Sequence, residues 1–567
     1  MDIVTRLYNE NFTQVLGDWC RAHHVWYLGH TIEDNGAHAR LGYGTGHYYR
    51  GQQGMDFAGI DVIGGQIVPG MNYHHDAFNT GGSNGEFYHY ALAKLAASSA
   101  HLDPAKKGRA MCEAFGAYGW NEGLKMMKWI ADHLLVRGIN YLVPHAFDPK
   151  KFPDFDCPPH FYAHGHNPQF RYFKEFSDYV NRIFRDGKYP SETGLLYPAE
   201  LEWGGNCMPL EKPCRELTEH QIPYDIVTRD WIMQAEIGDG FFEINGCRMK
   251  NLVIPYGEGI PSDIVPMLKK MVEHQVQIYF LDALPDVMLG FSKNQEAFEY
   301  VQTHASVIAL EQLGETLAEY RKVFFAQVQP DLAVGEYERD GQRYYMIFNE
   351  NIGKTIRTEI SLPHAEHVYR YDAFSGKTYE VSTDPASGKF FLSLEPYESV
   401  VLLESEENLP AEAVYFKGAD MAADQEKIAL PEKWNVQFAD SFSWPKFTEK
   451  VPVEELCCVQ EIAGWEKKAG TLQFSSELKL EYEISAVLDL GEVFETAEVK
   501  VNGISAGLRL CRPYRFDLTG LLKKGENQIT IEVTNCLGTA LRDPISHYLM
   551  IEPFGIEGPV VMKKIQK

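Results

Sequence analysis

Residues 109–146, RAMCEAFGAYGWNEGLKMMKWIADHLLVRGINYLVPHA, constrain the fold more than any other stretch of the chain. A short apolar run, Ala110-Met111-Cys112, ends in the carboxylate Glu113 and gives way to a glycine- and aromatic-rich turn at 115–120. Leu124, Met127, Ile130, Ala131, Leu134 and Leu135 then recur at three- to four-residue spacing, which predicts an amphipathic helix. Arg137-Gly138 supplies its basic last turn and terminating glycine. Ile139–Val143 reads as a second apolar strand, closed by Pro144-His145. Strand, polar loop, helix, strand, polar loop is the unit of a β/α barrel. In such barrels the chemistry sits on loops at the carboxyl ends of the strands, and Glu113 and His145 both stand there.

The residues before this stretch continue the pattern. Residues 2–22 predict a helix with Val4, Leu7, Tyr8, Phe12, Val15, Leu16 and Trp19 on one face. Val25–His30 reads as a buried strand whose exit loop, Thr31–Asn35, carries Glu33. Gly59–Ile63 is the next strand and leads to the polar run Asn72-Tyr73-His74-His75-Asp76, followed by a helix over about 86–99. His74, His75 and Asp76 are metal-ligand types, though adjacent histidines suit a polar loop better. This gives four parallel strands where a closed barrel needs eight. Residues 1–190 are therefore expected to form a partial (β/α)8 TIM-type barrel. Its open edge at Val25–His30 calls for cover from an upstream segment or a second copy.

From Glu192 the pattern changes. Leu195–Pro198, Tyr224–Val227, Leu252–Pro255 and Ile278–Leu281 are short strands separated by helical segments, which predicts a small open α/β domain over 191–322 with a Rossmann-like or flavodoxin-like parallel sheet. Its first strand is followed by Ala199-Glu200-Leu201-Glu202-Trp203 and not by GxGxxG, which argues against nucleotide binding. A helical tract over 295–322 closes the unit. Residues 323–408 read as an antiparallel β accessory domain with hairpins at Asp340-Gly341 and between Tyr371 and Tyr379. The evenly spaced strands of 409–567, with a hairpin turn at Asn502-Gly503, complete a multidomain α/β plus β chain.

Charge and composition narrow the partners. A net charge of −26 without any Lys/Arg cluster argues against nucleic acid and anionic membrane. Ten cysteines without a CxxC pair point to a reducing, cytoplasmic setting. Aromatic residues make up 13% of the chain and 14 of the 20 histidines precede residue 170, which suits a wet, aromatic-lined carbohydrate cleft.

Two resemblances sharpen this reading. VNG (501–503), PYRFDLT (513–519) and GENQITIEVTN (525–535) resemble the galactose-binding-like jelly-roll β-sandwich of family 2 glycoside hydrolases. LGHTIEDN (28–35), CEAFGAYGW (112–120), GINYLVPH (138–145) and YPAELEW (197–203) resemble bacterial glycoside hydrolases of family 106, the α-L-rhamnosidases, without their opening barrel strands. The resemblance implies an inverting enzyme acting on an oligosaccharide or glycoside with two glutamates, Glu33 as acid and Glu113 as base, helped by a calcium ion. His30, Tyr73, His75, Trp120, His145 and Trp203 are the residues expected to line the sugar site. Glu113, flanked by apolar residues, is expected to be buried, and so either paired or raised in pKa; Glu200 and Glu202 are expected at a domain interface. Two other readings stay open: a non-catalytic carbohydrate-binding or truncated glycosidase homologue, and a retaining β-glycosidase of family 2 type.

Overall fold

The computed structural model describes residues 1–31, 44–75, 83–145, 167–183, 189, 191–291, 294–362, 367–410, 426–541, 545 and 549–565. Residues 2–22 are helical throughout (α1), but the helix docks by a different face from the one its apolar spacing predicts. Thr5 and Thr13 are 1% exposed, whereas Ile3, Val4, Leu7, Phe12, Val15, Leu16 and Trp19 are 38–72% exposed. Backbone proximity selects this face. A Cβ on Gly17 would lie 2.0 Å from the Gly54 carbonyl oxygen, and one on Gly54 would lie 2.0 Å from that of Thr13. Polar contacts finish the seam: Asn9 Nδ2 donates to the Arg50 carbonyl at 3.1 Å, and Arg50 Nη1 donates to Thr5 Oγ1 at 2.8 Å.

Val25–His30 is not the expected buried strand: no strand forms there, and Val25, Trp26 and Leu28 are 44–66% exposed. The segment runs instead beside β1 (Ala58–Ile63); just before that strand the Asp56 N–H donates to the Tyr27 carbonyl at 2.7 Å. It comes so near that a Cβ on Gly59 would meet the Gly29 carbonyl oxygen at 1.7 Å. Only a residue without a side chain fits there.

Three parallel strands therefore stand where four were expected: β1, β2 (Ala110–Gly116) and β3 (Tyr141–Pro144), in that spatial order. Strand alternation divides their residues. Ile60, Val62, Cys112 and Ala114, all 0% exposed, turn one face toward the helix α2 (Ala93–Leu102). Asp61 and Glu113, paired in register, occupy the other. Helix α3 (Leu124–Leu135) joins β2 to β3, and α4 (Asn167–Ile183) packs on α3. The described residues form no closed barrel, and their three strands here make an open sheet.

The next sheet is wholly parallel. It contains β4 (Thr193–Leu196), β5 (Asp225–Val227), β6 (Asn251–Ile254), β7 (Gln277–Leu281) and β8 (Ser306–Ile308), in the order β8-β7-β6-β4-β5. That is the 2-1-3-4-5 order of flavodoxin-like sheets. Helix α5 (Ala199–Gly204) follows β4. The predicted helical tract 295–322 is interrupted: α6 (Gln295–His304) gives way to β8, whose β-branched Val307-Ile308 favour the extended form.

Beyond it the described sheets are antiparallel, except for a two-stranded parallel pair at 259–261 and 287–289 inside the α/β unit. Strands β9 (Leu332–Arg339), β10 (Gln342–Asn349), β11 (His367–Asp372), β12 (Lys377–Glu380) and β13 (Ser399–Ser405) lie in the order β9-β10-β13-β11-β12. Asp340 and Gly341, at φ 54° and 77°, make the tight turn between the first two. The C-terminal unit packs two antiparallel sheets over one core, with Leu472, Phe474, Val499 and Ile531 on one side and Leu488, Phe516 and Met562 on the other. Strands β14 (Ala486–Asp489) and β16 (Arg515–Asp517) belong to the second sheet, and β15 (Ile504–Arg509) is an edge strand of the first.

The units are locked by buried charge. Glu350, just beyond β10, receives Arg137 Nη1 and Nη2 at 2.7 and 3.0 Å and His133 Nδ1 at 2.5 Å. Burial alone would raise the Glu350 carboxyl, but Arg137 and His133 outweigh it and hold it well below the usual range. Burial, with Arg137 beside it, pushes the His133 imidazole down to about 4.

Candidate active site

The carboxyl end of β2 is built irregularly. Its register against β1 slips between Val62 and Ile63, opposite Phe115. Phe115 and Ala117 hold φ of 76° and 52°, a left-handed conformation that side chains resist and that concentrates at functional loops. Between them, Gly116 leaves room for an imidazole: a Cβ there would lie 2.9 Å from His145 Cγ. The His145 N–H donates to the Ala114 carbonyl at 2.8 Å, carrying the pairing one residue past β3.

These features gather a small polar cluster. Glu113 Oε2 lies 3.1 Å from His30 Nε2, and Glu113 Oε1 lies 3.4 Å from His145 Nε2. His30 Nδ1 faces the Thr31 carbonyl oxygen at 2.5 Å, with Asp61 Oδ2 at 3.8 Å behind it. Both ring nitrogens of His30 thus face acceptors. Either the ring carries a proton on each, or the Glu113 carboxyl supplies the proton between them. Glu113 is 31% exposed at its side chain and not buried as expected, while Asp61 is 2% exposed. Among the described residues nothing covers the strand face that Glu113 shares with its register partner Val143, which is 42% exposed. The result is a solvent-reachable carboxyl held between two imidazole rings.

Asp61 was not singled out from sequence, although a carboxylate inside the apolar run Gly59–Ile63 was the available signal. Glu33 and Asp76 lie outside the described residues, as does the His75 side chain. Tyr73 is 54% exposed. Trp120 is 2% exposed and packs with Ala469 and Leu537 of the C-terminal sandwich. The first turn of α3, just after that loop, is held by Glu495, which accepts the Lys125 N–H at 2.6 Å; burial pushes the Glu495 carboxyl up to about 7. Trp203, on α5, lies 6.1 Å from the His47 ring and 5.9 Å from the Arg50 guanidinium. Glu200 joins that seam, 3.5 Å from Arg50 Nη2, with its carboxyl pushed up to about 7 by burial. Among the described residues, no group of three or more His, Cys, Asp or Glu side chains is arranged to hold a metal ion, so none is assigned to calcium.

No protein-family model and no curated protein sequence matches the chain. Solved structures do. The chain is similar to a rhamnosidase from Novosphingobium sp. PP1Y at 18% identity and a TM-score of 0.70, over 99% of this chain and 55% of that one. It thus shares that enzyme's fold while spanning about 55% of its length, in keeping with the rhamnosidase resemblance read from sequence. β-Galactosidases from Bacillus circulans sp. alkalophilus and Rahnella sp. R3 align over 63% of this chain and 61% of their own, at 12% and 11% identity, with TM-scores of only 0.41 and 0.42.

Proposed function

We propose that this chain bears the site of an inverting glycoside hydrolase of α-L-rhamnosidase type, with Glu113 as general base and Glu33 as general acid. The observation that carries the proposal is the Glu113 carboxyl, held between His30 and His145 at the carboxyl ends of parallel strands. Cleaving a glycosidic bond by inversion needs one carboxyl to protonate the leaving oxygen and another to take a proton from water on the opposite ring face. Glu113 takes that proton, and the two imidazoles orient its oxygens and share its charge. Glu33 follows His30 by three residues in the sequence and is the acid of the pair. The rhamnosidase likeness in fold supports a rhamnoside as substrate. The nine described cysteines are free, in keeping with a reducing compartment such as the cytoplasm. No described helix is long and apolar enough to cross a membrane.

The exposed apolar stripe of α1 and the open three-stranded sheet favour an addition to this reading. Further polypeptide, a second copy or more sequence on the same chain, covers that surface in the working enzyme. Proton NMR of an aryl α-L-rhamnoside digest tests the chemistry, since inversion delivers the β anomer of the sugar first. The α anomer first, or no release of the aryl group by the covered enzyme, would overturn the proposal.

A further inference from the structure

A second cleft, of about 250 Å³, opens where α3 and α4, the β11–β13 region and the C-terminal sandwich meet. None of its lining residues belongs to the Glu113 cluster. Its floor is closed by mutual contacts. Lys128 Nζ lies 2.6 Å from Asp132 Oδ2 and donates to the Tyr397 carbonyl at 2.7 Å, and the Tyr179 hydroxyl donates to Asp132 Oδ1 at 2.7 Å.

The walls carry four guanidinium groups. Three are neutralised: Arg370 lies 3.2 Å from Glu398, Arg512 Nε donates to Glu492 at 3.1 Å, and Arg515 bonds Asp489 at 2.8 Å as well as Glu395. Arg509 is not. It donates to the Leu508 carbonyl at 2.8 Å and sits 5.4 Å from the Phe516 ring centre, and no carboxylate pairs with it among the described residues. Arg515 adds a buried Nη1 that has no hydrogen-bond partner among those residues. The two carboxylates that remain on the walls are occupied by their own turns: Asp372 accepts from Phe374 N–H and Ser375 Oγ at 3.0 and 2.6 Å, and Asp517 accepts from Thr519 N–H at 2.8 Å.

Unspent guanidinium donors in a walled cleft match a planar anion, because the guanidinium fork and a carboxylate share one geometry. Tyr379, opposite Arg370 in register, also lines the cleft with a half-buried aromatic side chain. An aromatic side chain and cationic donors lining one cleft fit a pyranose that carries a carboxylate at its edge. We propose that this cleft is a binding site for one acidic sugar, a hexuronate, separate from the hydrolytic site and independent of the reaction assigned to Glu113.

Titration calorimetry on the whole chain with D-galacturonate, D-glucuronate, D-galactose and inorganic phosphate tests this. At least one uronate should bind about tenfold or more tightly than galactose and than phosphate. Arg509→Gln should weaken the uronate about tenfold or more, the loss expected for one charge-assisted contact. Arg509→Lys should fall between, with thermal unfolding unchanged in both variants. Equal binding of galactose, equal binding of phosphate, undiminished uronate binding in Arg509→Gln, or no uronate binding at all would each overturn the assignment. Should Arg509→Gln fail to fold, Tyr379→Ser repeats the comparison from the aromatic wall.

Discussion

His30 Nε2 lies 3.1 Å from Glu113 Oε2, a contact between residues 83 positions apart in the sequence. It ties an irregular segment outside the sheet to the middle strand of that sheet. Glu113 is thereby held from two sides, by His30 before β1 and by His145 after β3. The geometry of the site thus rests on elements that are individually weak.

Gly116 is the point at which that geometry is most easily disturbed. A Cβ there would lie 2.9 Å from His145 Cγ and 2.8 Å from Ile63 Cγ2. Gly116→Ala should shift the imidazole away from Glu113 and lower kcat about ten- to a hundredfold, the scale of effect that a small misplacement has on a reacting group. Unchanged kcat in a folded variant would show that His145 does not orient Glu113.

The Glu350 lock should dominate the stability of the junction between α3 and the antiparallel sheet. Glu350→Gln leaves the buried Arg137 without its counter-charge and should destabilise by about 3–5 kcal/mol. Urea unfolding at neutral pH measures it, and a change below about 1 kcal/mol would mean that the pair contributes little.

Glu495 should make stability depend on pH. Its carboxyl is pushed up to about 7 in the fold, from an ordinary value of 4.5, by burial. A carboxyl raised in this way binds its proton more tightly when folded, so its stabilising contribution is complete below about 4.5 and is lost as pH rises through about 7. The neighbouring Glu122, pushed up by burial and by Glu495, acts in the same direction. Glu495→Gln, which keeps an acceptor for the Lys125 N–H, should therefore raise Tm at pH 8 and change it little at pH 5. A lower Tm at pH 8 would contradict this.

The outward stripe of α1 should tolerate polarity. Leu7 and Val15 are 50% and 56% exposed, so the double change to Ser should alter stability by less than about 1 kcal/mol. A loss above about 2 kcal/mol in the monomer would place these side chains in a core. If a second copy covers the stripe, the same variant should shift the molecular mass in solution toward one chain.

The parts of this architecture that depend on local pattern were legible in the sequence. The strand-helix-strand of 109–146 and the Asp340-Gly341 and Asn502-Gly503 turns each follow from spacing or from turn chemistry within a few residues. What was not legible depends on distant backbone. The docking of α1 through Thr5, Thr13 and Gly17 is decided by Gly54, more than thirty residues away, and apolar spacing alone points to the opposite face. Val25–His30 has the composition of a strand, but its approach to Gly59 sets it beside the sheet without making it a member. In the site, Glu113 and His145 were visible as polar residues at strand ends. Asp61 was hidden in an apolar run, and the packing of Trp120 against Ala469 and Leu537 joins segments several hundred residues apart.

The central claim is that Glu113 performs chemistry, and turnover of an aryl α-L-rhamnoside by the wild-type enzyme and by Glu113→Gln tests it most directly. The account predicts a kcat lower by about 10²–10⁴ in the variant, the contribution of one positioned proton acceptor, with thermal unfolding unchanged because the side chain is 31% exposed. A folded Glu113→Gln variant that turns over at the wild-type rate would contradict it.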